Sequence, residues 1–212
     1  WMLWPPIRYS YSTINKDYPG RQGADGIPAV TAFLSARDNH TFLFSFGGVV
    51  TFNHLLHDKL PYDPVKDFTP VINVAMVPYA LAVNPVVPAK TVKELIPIAA
   101  KKPGYLSYGS SGTGSMSSLA AELLKSMSGT DIVHVPHKAS GEMRNSVIGG
   151  HVQMMFDAVT TMTATAKEGK VKPLGTSGAK RNDLSPDVPT VSEAGVPGYE
   201  TTIWLGIVAP AK

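Results

Sequence analysis

The chain has 212 residues, enough for one large domain or two small ones. Its 19 lysines and arginines against 16 aspartates and glutamates give a net charge of +3, and the basic residues are scattered, which argues against nucleic acid as a partner. Because there is no cysteine, disulfides and cysteine-based metal sites are excluded, and no stretch of the sequence approaches the length of a membrane span.

The part of the chain before residue 105 reads as alternating strands and helices. Strands are predicted at residues 7–11, 41–45, 71–77 and 79–83, and helices after Pro28 and after the Thr91–Glu94 capping box. A glycine-rich loop is predicted at residues 18–26. Gly47 and Gly48 follow the strand at 41–45, so this second loop of small residues is a candidate for lining a site.

Residues 105–135 give the most regular pattern in the chain. A short strand at 105–109 is followed by a loop at 110–115, a helical segment and a second strand at 132–135. The apolar face of the helix consists of Met116, Leu119, Ala120, Leu123, Leu124 and Met127. Gly129 stands just past the helix, where a left-handed cap favours glycine. This order predicts a βαβ unit with parallel strands.

The loop at residues 110–115 is the principal candidate site. It joins the carboxyl end of a strand to the amino end of a helix, where backbone N–H groups lack partners and the helix dipole is positive. Its hydroxyl groups belong to Ser110, Ser111, Thr113 and Ser115. An anion, most simply a carboxylate, would fit there. On local sequence alone, a helix cap with a tight turn explains the same residues equally well.

The remainder of the chain continues the alternation. Helices are predicted at residues 140–148 and 160–167, strands at 152–156, 171–176 and 202–208, and a second capping box at 190–193, ended by Gly195. Asp157 stands at the end of a strand, where it could serve as a helix cap, a ligand contact or a general base. Strands alternating with helices predict an α/β protein with mainly parallel sheets.

Sharper chemical motifs do not match this chain. The loop at 110–115 has no lysine, which a phosphate-binding Walker loop needs, and it lacks the last glycine of a nucleophile elbow. The spacing of Ser111, His134 and Asp157 gives no support to a catalytic triad. His134 and His137, three apart in an extended segment, do not point both rings at one metal. The sequence shows no evident buried arginine from which the number of carboxylates on a ligand could be inferred. We therefore predict no catalytic residue, metal or cofactor.

Six ordered motifs resemble one known family from about residue 40 to the end of the chain. They are residues 60–68 (Leu-Pro-Tyr-Asp-Pro-Val-Lys-Asp-Phe), 84–95 (Asn-Pro, then Pro-Ala-Lys-Thr-Val-Lys-Glu-Leu), 108–115 (Tyr-Gly-Ser-Ser-Gly-Thr-Gly-Ser), 134–138 (His-Val-Pro-His-Lys), 155–157 (Met-Phe-Asp) and 187–199 (Asp-Val-Pro-Thr-Val-Ser-Glu-Ala-Gly-Val-Pro-Gly-Tyr). The family is the substrate-binding (Bug) component of tripartite tricarboxylate transporters.

The resemblance implies a type II periplasmic binding protein, with two α/β domains around a ligand cleft. The first domain would comprise residues 1–78 and 202–212, and the second residues 79–201. It also implies a monomer that captures a small mono- or dicarboxylate in the periplasm and passes it to the permease subunits in the membrane. A ligand-sensing module of the same fold, acting with a sensor partner, is the alternative function.

The resemblance further implies which residues hold the ligand. In the family, loops of both domains grip a carboxylate through backbone N–H groups, hydroxyls and bridging waters. The matching residues here are Ser45, Phe46, Gly47, Gly48, Tyr108, Ser110, Ser111, Gly112, Thr113, Gly114, Ser115 and Asp157. The family's first strand, its Pro-Gly-Gly loop and the helix after it are not recognisable before Asp17, and its terminal helices would follow residue 212. We therefore expect an incomplete first domain, truncated at both ends.

Overall fold

Helices and strands alternate along the chain in the computed structural model, which describes residues 8–10 (backbone only), 26–36 and 40–211. The strands are β1 Arg8–Ser10, β2 Thr41–Phe46, β3 Phe68–Val83, β4 Ser107–Ser110, β5 Val133–Pro136, β6 Met154–Ala158, β7 Lys172–Thr176 and β8 Thr202–Pro210. The helices are α1 Ile27–Ser35, α2 Asn53–Leu56, α3 Val92–Lys101, α4 Met116–Ser128, α5 Ser140–Ile148 and α6 Val159–Lys167, with a π-helical turn at Gly48–Phe52. Most of the predicted loop at 18–26 lies outside the described residues.

The chain divides into two compact units. The first unit comprises Trp1–Met76 with Trp204–Lys212, and the second comprises Val77–Ile203. The long strands β3 and β8 each run from one unit into the other. We propose that these units are the two predicted domains, whose boundaries differ from the units by two residues at each crossing.

The second unit contains a mainly parallel sheet in the order β7-β3-β6-β4-β5. Strand β4 pairs in parallel with both β5 and β6, whereas β3 pairs antiparallel with β6 and with β7. Strands β4, β5, β6 and β7 therefore all run in one direction, and β3 alone opposes them. The predicted α/β architecture with a mainly parallel sheet is confirmed. The carboxyl ends of the four parallel strands lie along one edge of the sheet.

Both faces of this sheet are buried, because side chains of a strand alternate between its two faces. Leu81 and Val83 of β3 join one core cluster, whereas their neighbours Ala80 and Ala82 join the other. Helices α3 and α4 contribute to the first cluster, and α5 and α6 contribute to the second. Helices on both faces fix the sheet edge that carries the predicted site.

Helix α4 forms where the apolar spacing predicts it. Ser115 is its N-cap and accepts from the backbone N–H of Ser118, and Gly129 ends it with φ 64°. Its buried residues include Met116, Ala120 and Leu124, which the predicted apolar face contains. A leucine or methionine side chain contributes about 1.5–3 kcal/mol when fully buried. The start of α4 is therefore held firmly at the end of β4.

The first unit has a smaller core. Strand β1 pairs in parallel with β2, which pairs antiparallel with β8, and β8 neighbours β3. Its buried apolar residues are Val30, Phe33, Leu43, Val49, Tyr62, Phe68 and Val208. Several side chains at the start of β3, including Val71, Ile72 and Val74, are more than half exposed.

Three local predictions are wrong. The two strands predicted around Pro78 form the single strand β3, in which the next N–H, of Tyr79, donates to Ser177 Oγ at 2.8 Å. Gly47 and Gly48 begin a π-helical turn instead of a loop. Thr190 and Glu193 form both bonds of a capping box, at 3.0 and 2.9 Å, but residues 191–195 make only a turn.

In the described part of the chain, no helix is both long and apolar enough to cross a membrane.

Candidate functional site

The segment Ser110–Ser115 connects β4 to α4 at the carboxyl edge of the second unit's sheet. Gly112 has φ 132° and Gly114 has φ 82°, conformations that side chains other than glycine rarely adopt. A Cβ at Gly112 would meet nothing within 4 Å, so the backbone angle and not crowding accounts for glycine there. The two glycines let the backbone turn tightly into the helix.

Most hydroxyls of this segment hold its shape. Ser115 Oγ donates to the carbonyl of Gly112 at 2.7 Å, and Ser110 Oγ lies 3.0 Å from the same carbonyl. Ser117 Oγ accepts from the N–H of Ser111 at 3.0 Å and lies 3.3 Å from Ser111 Oγ. Thr113 is exposed, and its hydroxyl has no bond to any residue that the structure describes. Sequence alone did not separate these roles.

Four backbone N–H groups remain unpaired within the described structure. They belong to Thr113, Gly114, Met116 and Ser117. Two of them are the first N–H groups of α4, where the helix dipole is positive. A cluster of N–H donors at a helix start is suited to binding an anion such as a carboxylate.

A buried polar network supports the segment from beneath. Ser110 is fully buried, and its Oγ lies 2.6 Å from His134 Nε2. The His134 ring stacks on Tyr108 with centroids 4.7 Å apart. The hydroxyl of Tyr108 donates to Glu122 Oε1 at 2.5 Å, and Lys125 Nζ binds the same oxygen at 2.9 Å. The side chains of Tyr108 and Ser110, both predicted as ligand contacts, therefore hold the segment in place.

Burial and charge set the protonation of this network. Burial lowers the pKa of His134, which keeps its ring neutral at neutral pH. Burial raises the pKa of Glu122, but hydrogen bonds from Tyr108 and Lys125 outweigh it, so the net direction is downward. Burial raises the pKa of Tyr108, so its hydroxyl stays protonated. Although Ser110 and His134 resemble a nucleophile and its base, Ser110 is inaccessible to a substrate.

Asp157 lies at the same sheet edge, at the end of β6. Strand β4 pairs with β6 in parallel, with Tyr108 opposite Met154 and Gly109 opposite Met155. Asp157 therefore lies on the strand next to β4, near the end from which the Ser110–Ser115 segment begins. Its Oδ1 accepts from the N–H of Ala158 at 2.9 Å, directly before α6. The N-cap of α6 is nevertheless Ala158, with no side-chain cap bond, so the interpretation of Asp157 as a helix cap is wrong.

The partner of Asp157 is Arg144, which the sequence analysis missed. Arg144 lies on α5, and both its Nε and its Nη2 donate to Asp157 Oδ2 at 2.8 Å. Its side chain is 24% exposed and that of Asp157 is 8% exposed. Arg144 is thus half-buried, which does not contradict the prediction that no buried arginine is evident. The only sequence signal for this pair is a single arginine 13 positions before Asp157, in a helix where polar and apolar residues are mixed.

The predicted site residues of the first unit have different surroundings. Ser45 is buried, and its hydroxyl donates to the carbonyl of Phe46 at 3.2 Å. Phe46 packs against the core of that unit. A Cβ at Gly47 would lie 2.7 Å from Trp204 Nε1, and one at Gly48 would lie 2.7 Å from Phe46 Cε2. These two glycines are required by close packing.

The residues considered for a catalytic triad and for a metal site have other partners or stand apart. His134 contacts Ser110 and not Ser111, and Asp157 pairs with Arg144, so the three triad candidates do not form a chain of hydrogen bonds. His137 Nδ1 is buried without a partner in the described structure. Among the residues described, no three side chains of His, Asp or Glu come together as metal ligands.

A mainly parallel α/β sheet with helices on both faces is the architecture of a type II periplasmic binding protein domain, and the solved structures confirm this fold class. The chain matches a Rhodopseudomonas palustris protein, Rpa4515, solved with adipate, with a TM-score of 0.85 and 37% identity over 90% of this chain and 64% of that one. It matches MatC from the same organism, solved with bound malate, with a TM-score of 0.80 and 32% identity over 89% of this chain and 64% of that one.

The chain belongs to the tripartite tricarboxylate transporter receptor family, whose sequence profile matches residues 19–212. A curated relative from Pseudomonas sp. strain P51, a UPF0065 protein in the tcbD-tcbE intergenic region, is 33% identical over 90% of this chain. The chain spans 57% of the length of that relative. The family consists of substrate-binding receptors and not of enzymes.

Proposed function

We propose that this protein is a periplasmic solute-binding protein that captures a small organic carboxylate for a tripartite tricarboxylate-type permease. The observation that carries the proposal is the set of four unpaired N–H groups at the start of α4, in a segment shaped by Gly112 and Gly114. Family membership supports the transport role and the periplasmic location. The protein acts as a monomer that delivers its ligand to the permease subunits.

The chemistry of the segment favours a carboxylate over other solutes. Hydrogen bonds from N–H groups to a charged acceptor are about twice as strong as those to a neutral one. A carboxylate presents two oxygens, which can share the N–H groups of Thr113, Gly114, Met116 and Ser117. Rpa4515 was solved with adipate and MatC with malate, and both ligands are dicarboxylates, which supports this ligand class.

The remaining predicted residues take part in two ways. Ser111 and Thr113 carry the hydroxyls best placed to contact a ligand, since Ser111 has only a 3.3 Å contact to Ser117 and Thr113 is exposed. Ser110 and Ser115 set the backbone from within. Ser45–Gly48 of the first unit stay proposed ligand contacts through the family resemblance.

Calorimetric titration of the 212-residue chain with adipate and malate tests the proposal. We expect saturable binding and a raised melting temperature, because a ligand that binds only the native state stabilises it. Ser111→Ala and Thr113→Ala should each weaken binding about ten- to a hundredfold, as loss of a hydrogen bond to a charged acceptor costs roughly 1.5–3 kcal/mol.

Ser128→Ala is the matched control for these variants. Ser128 lies at the opposite end of α4, and its hydroxyl donates to the carbonyl of Leu124 at 2.6 Å. At about 1.5 Å per residue, it is roughly 20 Å from Ser115. Its removal should leave affinity unchanged. Unaltered affinity in Ser111→Ala and Thr113→Ala would instead mean that the segment is only a helix cap.

A further inference from the structure

We propose that Arg144 recognises a second carboxylate of the ligand, so that the site prefers dicarboxylates to monocarboxylates of equal length. Asp157 holds Arg144 in position and does not itself contact the ligand. This inference rests on the proposed function, because it assumes that the first carboxylate binds at the start of α4. It is carried by the geometry of the Arg144–Asp157 pair and by its place in the sheet.

The hydrogen bonds of Asp157 assign it an anchoring role. Its Oδ2 accepts both Nε and Nη2 of Arg144 at 2.8 Å, and its Oδ1 accepts the N–H of Ala158 at 2.9 Å. With a side chain only 8% exposed, the carboxylate has little surface to offer a ligand. An anionic ligand would in any case be repelled by an unpaired aspartate.

Arg144 keeps donors that the pair does not use. A guanidinium has five N–H groups in a planar fork, and Asp157 takes two of them. The residues that the structure describes supply no partner for the other three, and the Arg144 side chain is 24% exposed. Because Asp157 already fixes the fork, little side-chain freedom is lost when a carboxylate binds its open side.

The fold places Arg144 on the helix that follows β5, near the sheet edge that carries the Ser110–Ser115 segment. Helix α5 starts after β5 ends at Pro136, so its first turn lies at the carboxyl edge of the parallel strands. Side chains on a helix lean towards its amino end, which directs Arg144 back to that edge. Strand β6, which carries Asp157, pairs directly with β4, which leads into the segment, and paired strands lie about 4.8 Å apart.

Another arginine of the same unit shows what a purely structural pair looks like. Arg181 Nε binds Glu193 Oε2 at 2.9 Å, with both side chains 50% exposed. Arg181 Nη1 also donates to the backbone carbonyl of Pro186 at 3.4 Å, so a second nitrogen of this guanidinium has a partner. Arg144 differs because its anchor is buried and its remaining donors are unused. The Arg181–Glu193 pair is therefore a matched control.

The test compares adipate with hexanoate, a six-carbon monocarboxylate, on the full chain by calorimetric titration. The double variant Arg144→Gln/Asp157→Asn removes the cation without leaving a buried unpaired aspartate. We expect it to lose about ten- to a hundredfold in affinity for adipate, with less than about a threefold change for hexanoate. Arg181→Gln/Glu193→Gln should change neither ligand's affinity.

Two results would overturn the inference. One is an equal loss for adipate and hexanoate, which would give Arg144 a general structural role, and the other is no loss for either ligand. Should the double variant unfold, Arg144→Lys gives the same test, because it keeps the charge but loses the fork and should lower the adipate-to-hexanoate ratio. If the unaltered chain binds neither acid, the proposed function and this inference both fail. If it binds both and the variants keep the ratio, only the inference fails.

Discussion

Two segments of this protein carry the same sequence signal and have different structures. Ser45–Gly48 and Ser110–Ser115 both consist largely of small residues at the end of a strand, and both were predicted to line a site. In the second unit, the segment turns at Gly112 and Gly114 and leaves four N–H groups without partners in the described structure. In the first unit, Gly47 leads at once into a π-helical turn.

The difference shows that glycine meets two unrelated physical needs. Gly112 needs its backbone angle, with φ 132° and open space where a Cβ would be. Gly47 has φ −51°, which any residue adopts, but the Trp204 ring occupies the space of a Cβ. Only the first need gives a tight backbone turn, and that turn is the one beside the unpaired N–H groups of the described structure. The sequence cannot separate the two, because the neighbour that crowds Gly47 is more than 150 positions away along the chain.

The largest effect is expected for Gly47→Ala. The new Cβ would lie 2.7 Å from Trp204 Nε1 and 3.0 Å from Trp204 Cδ1, so the ring or the backbone must move. Overpacking of this kind costs about 1–3 kcal/mol of unfolding free energy, measured by urea denaturation followed by circular dichroism. In a Trp204→Leu background the same change should cost much less. An equal cost in both backgrounds would show that packing is not the reason for glycine.

A smaller loss of stability is expected for Gly112→Ala. No atom lies within 4 Å of the new Cβ, so only the strained angle contributes, at about 1–2 kcal/mol. The cost should be independent of Trp204→Leu, in contrast to Gly47→Ala. Because the segment can relieve the strain by changing its turn, adipate affinity should fall as well. Full stability with full affinity in this variant would mean that the turn does not need glycine.

The smallest effect concerns pH and the network beneath Ser110. Burial lowers the pKa of His134 below 6.5, with Glu122 opposing this shift and Lys125 and His137 adding to it. The unfolded chain therefore takes up a proton at a higher pH than the folded chain. The contribution of His134 to stability is complete above pH 6.5 and is lost as the pH falls through its lower folded pKa.

His134→Gln checks this prediction, since glutamine does not titrate. Urea unfolding between pH 7 and pH 5 should show a shallower loss of stability in this variant than in the unaltered chain. The carboxyl of Glu122 has a pKa lowered from 4.5 and so adds its own loss only at more acidic pH. An identical slope in the two proteins would show that His134 is not the titrating group.

Much of the fold of the second unit follows from local pattern. The apolar spacing from Met116 to Leu124 and the caps at Ser115 and Gly129 determine α4, and these signals lie within one helix. Alternation of strands with helices also predicts the parallel sheet, because short helical connections leave few other topologies. Position 157 could be placed at a strand end for the same reason.

The details of the site depend on contacts between distant residues. Nothing in the sequence near Tyr108 indicates that its hydroxyl reaches Glu122, or that Ser110 is fully buried against His134. The pairing of Arg144 with Asp157 joins a helix to a strand end. Each of these contacts depends on how elements pack, which periodicity does not encode. The sequence therefore predicted the sheet edge where the candidate site lies, while the structure separates supporting side chains from available donors.

The most direct test of the central claim is to observe the four N–H groups themselves. Amide proton–nitrogen spectra of the labelled chain should be recorded during titration with adipate. We expect saturable downfield shifts for Thr113, Gly114, Met116 and Ser117, with the dissociation constant found by calorimetry, and none for Gly129 at the far end of α4. Calorimetric binding of adipate with these four amides unmoved would contradict it.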